Sequence, residues 1–512
     1  MNKPNSRGFL SLLRCLRHLL TNTPCWSLNV ERFRFRAFAL SRFWPLAFGL
    51  RFSFGFRGVG FRFSAPPLAF VRRLVWLSFA ASRHLPPVTR HLPRFRFFAF
   101  PLSAFSLVFA AHGQDALFPS LALDQSTAAR SAQLSTQPHW GPVQFAAGAY
   151  AGVTYDDNVN AAEYNRESDE ISRAGVNLNC AWAATDQSQL QLGTSIGYLD
   201  YQKVTSNNGL EISPDSALTY AVTIADVTIT LFDQFSYSRQ VRTEAALANV
   251  ATLPQLDNNG GVRAEWDPGH WVLLASYSHG NFLSDGANDY LNRSSEDLFA
   301  RAGWKFAEAT QAGVEASDSI TDYELATQNN NQNVSFGGYL EWQLRPSLHL
   351  TLRGGPVFFE PDSSGQSGAN SSVDSYYASV AITHQITDYL SHSFSLNRSL
   401  QAGLNQGGGY IKQTVINYAI SWNLTQRISI GASANYVDGQ QPLAVANGAY
   451  SPLALTQGSE DFQQYGGGLQ MSWRCTDHFS TSVNVNHLQR TSNLAGRNYT
   501  DNNFGLQLNY TF

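Results

Sequence analysis

The sequence predicts an all-β protein: a transmembrane, antiparallel, up-and-down β-barrel of about 18 strands, preceded by an N-terminal leader that is disordered or removed. Three observations predict it. After residue 113 no run of 18 apolar residues occurs, so no helix of the body spans a bilayer. Segments of about ten residues instead alternate apolar and polar side chains, the period that puts one set on each face of a strand. The links between these segments alternate as well, one tight and the next long and polar.

Charge separates the leader from the body. Residues 1 to 113 hold Lys3, 16 Arg and a single acid, Glu31, which leaves 18 basic and 37 acidic residues, a net −19, in 114 to 512. Residues 1-87 are Arg/Phe-rich with neither helical nor alternating period, and no domain is expected there. Residues 88-113 carry a basic start (Arg90, Arg94, Arg96), an apolar run from Phe97 to Ala111, and small residues at Ala111 and Gly113. These are the three parts of a secretory signal peptide, with cleavage near Gln114. Because such signals begin a protein and no Met lies between Met1 and Met471, the expectation is translation from Val88 on a GUG codon, with 1-87 as mis-assigned upstream sequence. Residues 114-142 are then a periplasmic N-terminal segment and 143-512 the barrel. Cys180 and Cys475, far apart in strand order, are expected as free thiols.

Eighteen alternating segments run from 143-155 to 501-512, among them 216-225, 227-240, 256-266, 427-437 and 461-473. Tight turns follow the even-numbered ones, as at Thr185-Asp186, Asp267-Pro268-Gly269, Thr387-Asp388 and Thr476-Asp477. Long connections follow the odd ones, including Ser284 to Ser295, Glu360 to Ser372 and Asp438 to Glu460. Short periplasmic turns, long outer loops and an even count leave both ends of the barrel in the periplasm.

Alternation assigns the two faces. Ile196, Tyr198, Leu340, Trp342, Leu344, Ile416, Tyr418, Ile420, Trp422 and Leu424 fall outward. Trp182, Trp266, Trp304, Trp342, Trp422 and Trp473 stand just before short turns and Trp271 just after one, which predicts an aromatic girdle at the periplasmic interface. Inward fall Asn177, Asn179, Asn417, Ser421, Gln470 and Ser472, with a charged set of lumen-lining candidates: Arg263, Glu265, Arg301, Lys305, Glu315, Glu341 and Arg353. This set either orients solutes between opposed acidic and basic walls or neutralises itself within the wall. Asp233, Asp318 and His487 land on the lipid face, to be explained by bulges or by a position beyond the apolar band.

Catalytic chemistry is not predicted. His384, His392, Asn397 and the serines from Ser393 to Ser399 are residue types that hydrolases use, but every barrel strand is rich in them, and no triad order, HExxH or Cys/His metal spacing occurs. No cofactor and no nucleic-acid partner is expected. The acidic stretch Asp156-Asp157-Asn158 with Glu163, Glu167, Asp169 and Glu170 has the donors for Ca²⁺ but lacks the EF-hand spacing, and a solvated loop accounts for it.

The last strand alternates Phe504, Leu506, Leu508, Tyr510 and Phe512 with small or polar residues and ends on an aromatic. It resembles the signal read by the outer-membrane barrel-assembly machinery. The first strands carry Ala151-Gly152-Val153-Thr154-Tyr155-Asp156-Asp157-Asn158-Val159, an acidic segment leading into Ile171-Ser172-Arg173-Ala174-Gly175-Val176, and Ile229-Thr230-Leu231-Phe232-Asp233-Gln234-Phe235-Ser236-Tyr237. Over 143 to 512 the chain thereby resembles the β-barrel porin family of Gram-negative outer membranes, some members of which accompany exopolysaccharide gene clusters. The resemblance implies a non-enzymatic outer-membrane channel for passive diffusion of small polar solutes, surrounded by lipid and lipopolysaccharide. Alternatives are an accessory barrel for exported polysaccharide and a closed structural or adhesive barrel; association as a homotrimer stays open. Asp438 to Glu460, with its apolar Pro442-Leu443-Ala444-Val445, is the expected constriction.

Overall fold

A strand in hydrocarbon has no water to satisfy its backbone, so each edge must find another strand, and a set of strands is complete only when the last meets the first. The computed structural model of the chain meets this requirement. It describes residues 139–239, 245–248, 253–362, 372–403, 409–443 and 458–512; the expected leader, the signal peptide and residues 114 to 138 lie outside the described residues.

Eighteen strands form one antiparallel ring. They are β1 (Val143–Asp156), β2 (Asp169–Thr185), β3 (Ser188–Tyr201), β4 (Ala217–Ile224), β5 (Val227–Ser238), β6 (Gln255–Trp266), β7 (Trp271–Ser284), β8 (Arg293–Ala307) and β9 (Thr310–Tyr323). The ring continues with β10 (Asn331–Arg345), β11 (Leu348–Pro361), β12 (Val373–Thr387), β13 (Leu390–Ala402), β14 (Tyr410–Asn423), β15 (Ile428–Leu443), β16 (Gly458–Arg474), β17 (Phe479–Ser492) and β18 (Tyr499–Thr511). Consecutive strands pair throughout, and β1 closes on β18 from Gly148↔Thr511 to Asp156↔Asn503. Two short pieces add to the ring: His139–Trp140 bridges back onto β1, and Gly209–Ile212 continues the line of β4 between β3 and β5. The expected strands all occur, several longer than alternation alone indicates.

The tight hairpins repeat one device. Register slips by a residue between Ala183 and Thr185, Lys305 and Ala307, Gln343 and Arg345, and Gln385 and Thr387, each at the end of an even strand. Turn threonines accept local backbone hydrogen bonds: Thr185 from Gln187 (3.2 Å), Thr425 from Ile428 (3.0 Å) and Thr476 from Phe479 (3.0 Å). A hydroxyl that caps the chain reversal is the physical reason for the recurring Thr-Asp turn.

The outward face is apolar. The seven tryptophans of the expected girdle are all exposed, from 39 % at Trp304 to 50 % at Trp271 and Trp473, beside Tyr198, Leu344, Tyr418 and Leu506. Asp233, Asp318 and His487 also point outward, and the ladder runs through them without a shift, so bulges are not the explanation. Each meets a polar neighbour across the ladder: Asn258 donates to Asp233 (2.5 Å), Gln332 to Asp318 (2.8 Å), and His487 pairs with Asn502 (2.7 Å). Cys180 and Cys475 are free thiols.

Inward aromatics lie along the wall over glycines of neighbouring strands. The Tyr377 hydroxyl occupies the space a Cβ on Gly337 would need, and the Phe462 ring does the same at Gly439. At Gly355 the constraint is backbone: a Cβ there would fall 2.0 Å from the Phe336 carbonyl oxygen and 2.6 Å from Gly337 Cα. The β10–β11 ladder passes from Ser335↔Val357 directly to Gly338↔Gly354, next to Pro356, which has no N–H to donate.

Gly355→Val should therefore destabilise the barrel by about 1–3 kcal/mol. Gly338→Ala, whose Cβ would lie 3.6 Å from its nearest contact, should be neutral. Heat-modifiability on SDS gels measures both: the Gly355 variant is expected to unfold at lower temperature and the Gly338 variant with the parent.

Candidate functional site

The interior divides into a charged wall and a neutral one. On β6 to β11 alternation brings the predicted charged residues to the inward face, where they pair. Arg263 bonds Glu265, Arg301 bonds Glu341, and Lys305 bonds Asp267 of the β6–β7 turn. Arg353 grips Glu315 with Nε (3.0 Å) and Nη2 (2.9 Å), while the Tyr377 hydroxyl donates to the same carboxylate (2.8 Å). The Glu315 side chain is fully buried. Gln311 donates to Glu341 (2.6 Å), and the Arg301 guanidinium lies 3.7 Å from the centre of the Tyr339 ring. The hydrogen bond from Lys305 holds the Asp267 carboxyl below the usual carboxylate range. Opposite signs are neighbours at every one of these positions, so charge is compensated locally and no acidic wall faces a basic one across them.

Three connections enter the ring from its long-loop end. The described part of the β5–β6 connection crosses to the opposite side, where Ala246, Leu247 and Leu253 pack with Leu291, Ile411 on β14, Val437 on β15 and Phe462 on β16. Ala248 packs with Ala161 and Tyr499. The second connection, between β7 and β8, ends its 3₁₀ turn on Leu291, which is fully buried. The third is the described end of the β13–β14 hairpin, at Leu400 and Ile411. The β12–β13 ladder stops at Ala378↔Arg398, beyond which β13 leans inward, so that Leu400 packs on Leu274, Phe299, Val357, Phe359 and Tyr377. Asn333 on β10 donates to the Leu400 carbonyl (3.2 Å).

A buried polar latch holds the first of these loops. Arg490 on β17 donates to the Ala245 carbonyl (2.8 Å) and to Glu460 on β16 (2.7 Å), and Arg497 donates to the Ala246 carbonyl (2.8 Å). Gln441 on β15 donates to Ala246 (3.2 Å) and Glu460 (2.6 Å), and the Ser492 hydroxyl to Glu460 (2.7 Å). The side chains of Arg490 and Glu460 have no solvent exposure. Two guanidiniums, one carboxylate and two loop carbonyls thus satisfy one another in an otherwise dry place.

The constriction predicted at Asp438 to Glu460 is corrected in part. β15 runs on to Leu443 and β16 starts at Gly458, so both ends of that segment are ladder; 444–457 lie outside the described residues. The loops seen to enter are elsewhere, and one signal pointed to them: Ala245-Ala246-Leu247-Ala248 and Leu253 make the β5–β6 link apolar where an outer loop is ordinarily polar. In the acidic stretch, Asp169 accepts from the backbone of Val204 (2.8 Å), Asp157 from Asn502 (2.7 Å) and Glu163 from Asn498 (3.1 Å); Asp156, Asp157 and Asp501 approach within 4.8 Å of one another. The bond from the Asn498 backbone holds Glu163 below the usual carboxylate range. His384 and His392 pair with each other (3.2 Å) on the outward face, opposite to inward Asn397 and Ser395, so these residues do not converge. Phe504, Leu506, Leu508, Tyr510 and Phe512 all point outward and are exposed.

A closed ring with an even strand number, short turns at one end, long connections at the other and a lipid-compatible outer face defines a bacterial outer-membrane β-barrel of porin-like architecture. No protein-family profile matches the sequence, and no curated protein matches it. Among solved structures the chain is similar to Pseudomonas aeruginosa OccK2 (OpdF), with a TM-score of 0.40, 9% identity, and coverage of 72% of this chain and 98% of that one. It is similar to Acinetobacter baumannii OccAB3 (0.40, 9%, 72% and 99%) and to Pseudomonas aeruginosa OpdQ (0.41, 10%, 72% and 97%). The barrel stands on this chain's own ladders.

Removing one partner of a buried ion pair costs about 3–5 kcal/mol. Arg490→Met and Glu460→Gln should each release the β5–β6 loop while the wall stays closed. Hydrogen exchange is expected to rise selectively at residues 245–248, with the ladders still protected. Acidification should loosen a second contact. The folded pKa of Glu163 is depressed, so its contribution is present above the usual carboxylate pKa and lost as pH falls through the lower folded value. Exchange at Asn498 should accelerate over that acidic window, and Glu163→Gln should abolish the pH dependence.

Proposed function

We propose that this barrel is a passive channel through which small polar solutes diffuse across the outer membrane. The observation that carries the reading is the inward surface: β12 to β15 present mostly Ser, Thr, Asn, Gln, Gly and small or apolar residues, with Tyr377 among them, and β6 to β11 present compensated ion pairs, a lining that water wets. Residues 245–248 and Leu253 of the β5–β6 connection, with Leu400 and Ile411 at the described end of the β13–β14 hairpin, set the steric limit by narrowing the space near the long-loop end. The terminal strand from Phe504 to Phe512 serves as the assembly signal, its aromatics facing the lipid at the periplasmic end. In this reading the barrel is inserted by the assembly machinery and contacts lipopolysaccharide, and cross-linking in native membranes tests association as a homotrimer.

The test is reconstitution of the purified, folded protein into planar bilayers. Stepwise conductance with exclusion of larger polyethylene glycols is the expected result. Silence across many insertions, with the barrel shown folded by its heat-modifiability, would favour a structural barrel, and silence relieved only by an exported polymer would favour the export accessory.

A further inference from the structure

Resting on the channel reading, we infer that the solutes this lumen takes are neutral and polyhydroxylated, sugars or polyols, in preference to carboxylates. Recognition of a carboxylate in a channel needs a cation with donors to spare, best a guanidinium that can offer its fork. The four cations of the predicted lumen set are each held by a carboxylate of the protein instead. Arg353 already spends Nε and Nη2 on Glu315, at 3.0 and 2.9 Å, and Arg263, Arg301 and Lys305 each sit on a carboxylate of the protein. A passing anion would have to displace one of these partners, and the compensated pairs project little net field to draw it in.

The other wall carries the opposite chemistry. On β12 to β15 the inward positions among the described residues are uncharged up to the point where β13 leans inward; beyond it Lys412, opposite Leu400, lies over the Tyr410 ring. The ladder there carries hydroxyls and amides that face the interior: Thr383, Gln385 and Ser393 are exposed, Ser395 and Ser421 are half-buried, and Asn417 reaches Ser395 at 3.4 Å. Uncharged donors and acceptors open to the interior favour a solute that brings both kinds of group, and a hydroxyl does so while a carboxylate brings acceptors alone. A polyol can exchange its water for this ladder one hydroxyl at a time, without stripping a full charge of its hydration.

The experiment compares sorbitol with gluconate, six-carbon chains that differ in one carboxylate. Proteoliposomes of the full mature protein are challenged with each in swelling assays, and the potassium-to-chloride permeability ratio is measured in bilayers. The expected result is sorbitol entry several-fold faster than gluconate and a permeability ratio within about threefold of one or tilted to potassium. Asp267→Asn, which frees Lys305 near the periplasmic mouth, and Glu341→Gln, which frees Arg301, should each shift the ratio toward chloride and narrow the sorbitol advantage. Gluconate entering as fast as sorbitol, or chloride preference in the parent, overturns the inference while leaving the channel intact. Absence of both swelling and conductance in a folded barrel overturns the channel reading itself.

Discussion

Closure between β1 and β18 is the constraint on which the other features depend. Nine residue pairs from Gly148↔Thr511 to Asp156↔Asn503 join the first and last strands of the ring, and without them two strands would present unpaired N–H and C=O groups to hydrocarbon. The Phe512 backbone adds a bond to the Ala147 carbonyl (3.0 Å), and the Thr511 N–H one to His478 (2.8 Å). Closure fixes the parity of every strand around the ring, since a slip of one residue anywhere would turn a whole strand inside out. Once parity is fixed, Trp422 must face lipid and Asn417 must face the lumen.

The interior shows how a barrel of this size avoids being an empty hole. Its aromatics lie on wall glycines, its charges pair in place, and its inward loops meet in small dry cores. The ladder break at Ala378↔Arg398 belongs to the same economy: β13 gives up pairing with β12 above that point, and Leu400 gains an apolar cluster that four other strands supply. The latch around Glu460 exchanges hydration of three charged groups for mutual bonds and two loop carbonyls, which explains how an outer loop is held far from its own strands.

Much of this was legible in the residues. Period two located all eighteen strands, because lipid outside and water inside enforce alternation more strictly than a soluble core does. The girdle tryptophans and the inward charged set followed from the same parity. Pairing partners did not, since alternation gives the face of Arg353 but not its register against Glu315. Long-range loops were the least legible: of the connection expected to constrict the lumen, 444–457 lie outside the described residues, while the β5–β6 link enters because its alanines and Leu253 have an apolar surface to meet, a property of the opposite wall. Asp233, Asp318 and His487 seemed misplaced because each was judged alone, while cross-strand partners such as Gln332 become visible only with the ladder.

The most direct test of the account uses single cysteines along β14 in a Cys180→Ser, Cys475→Ser background, labelled with a polarity-sensitive fluorophore after reconstitution in lipid. Labels at residues 416, 418 and 420 should be quenched by a lipid-borne quencher, and labels at 417, 419 and 421 by a water-soluble one. Loss of that alternation, with every position answering to the aqueous quencher, would contradict a barrel that holds hydrocarbon outside and water within.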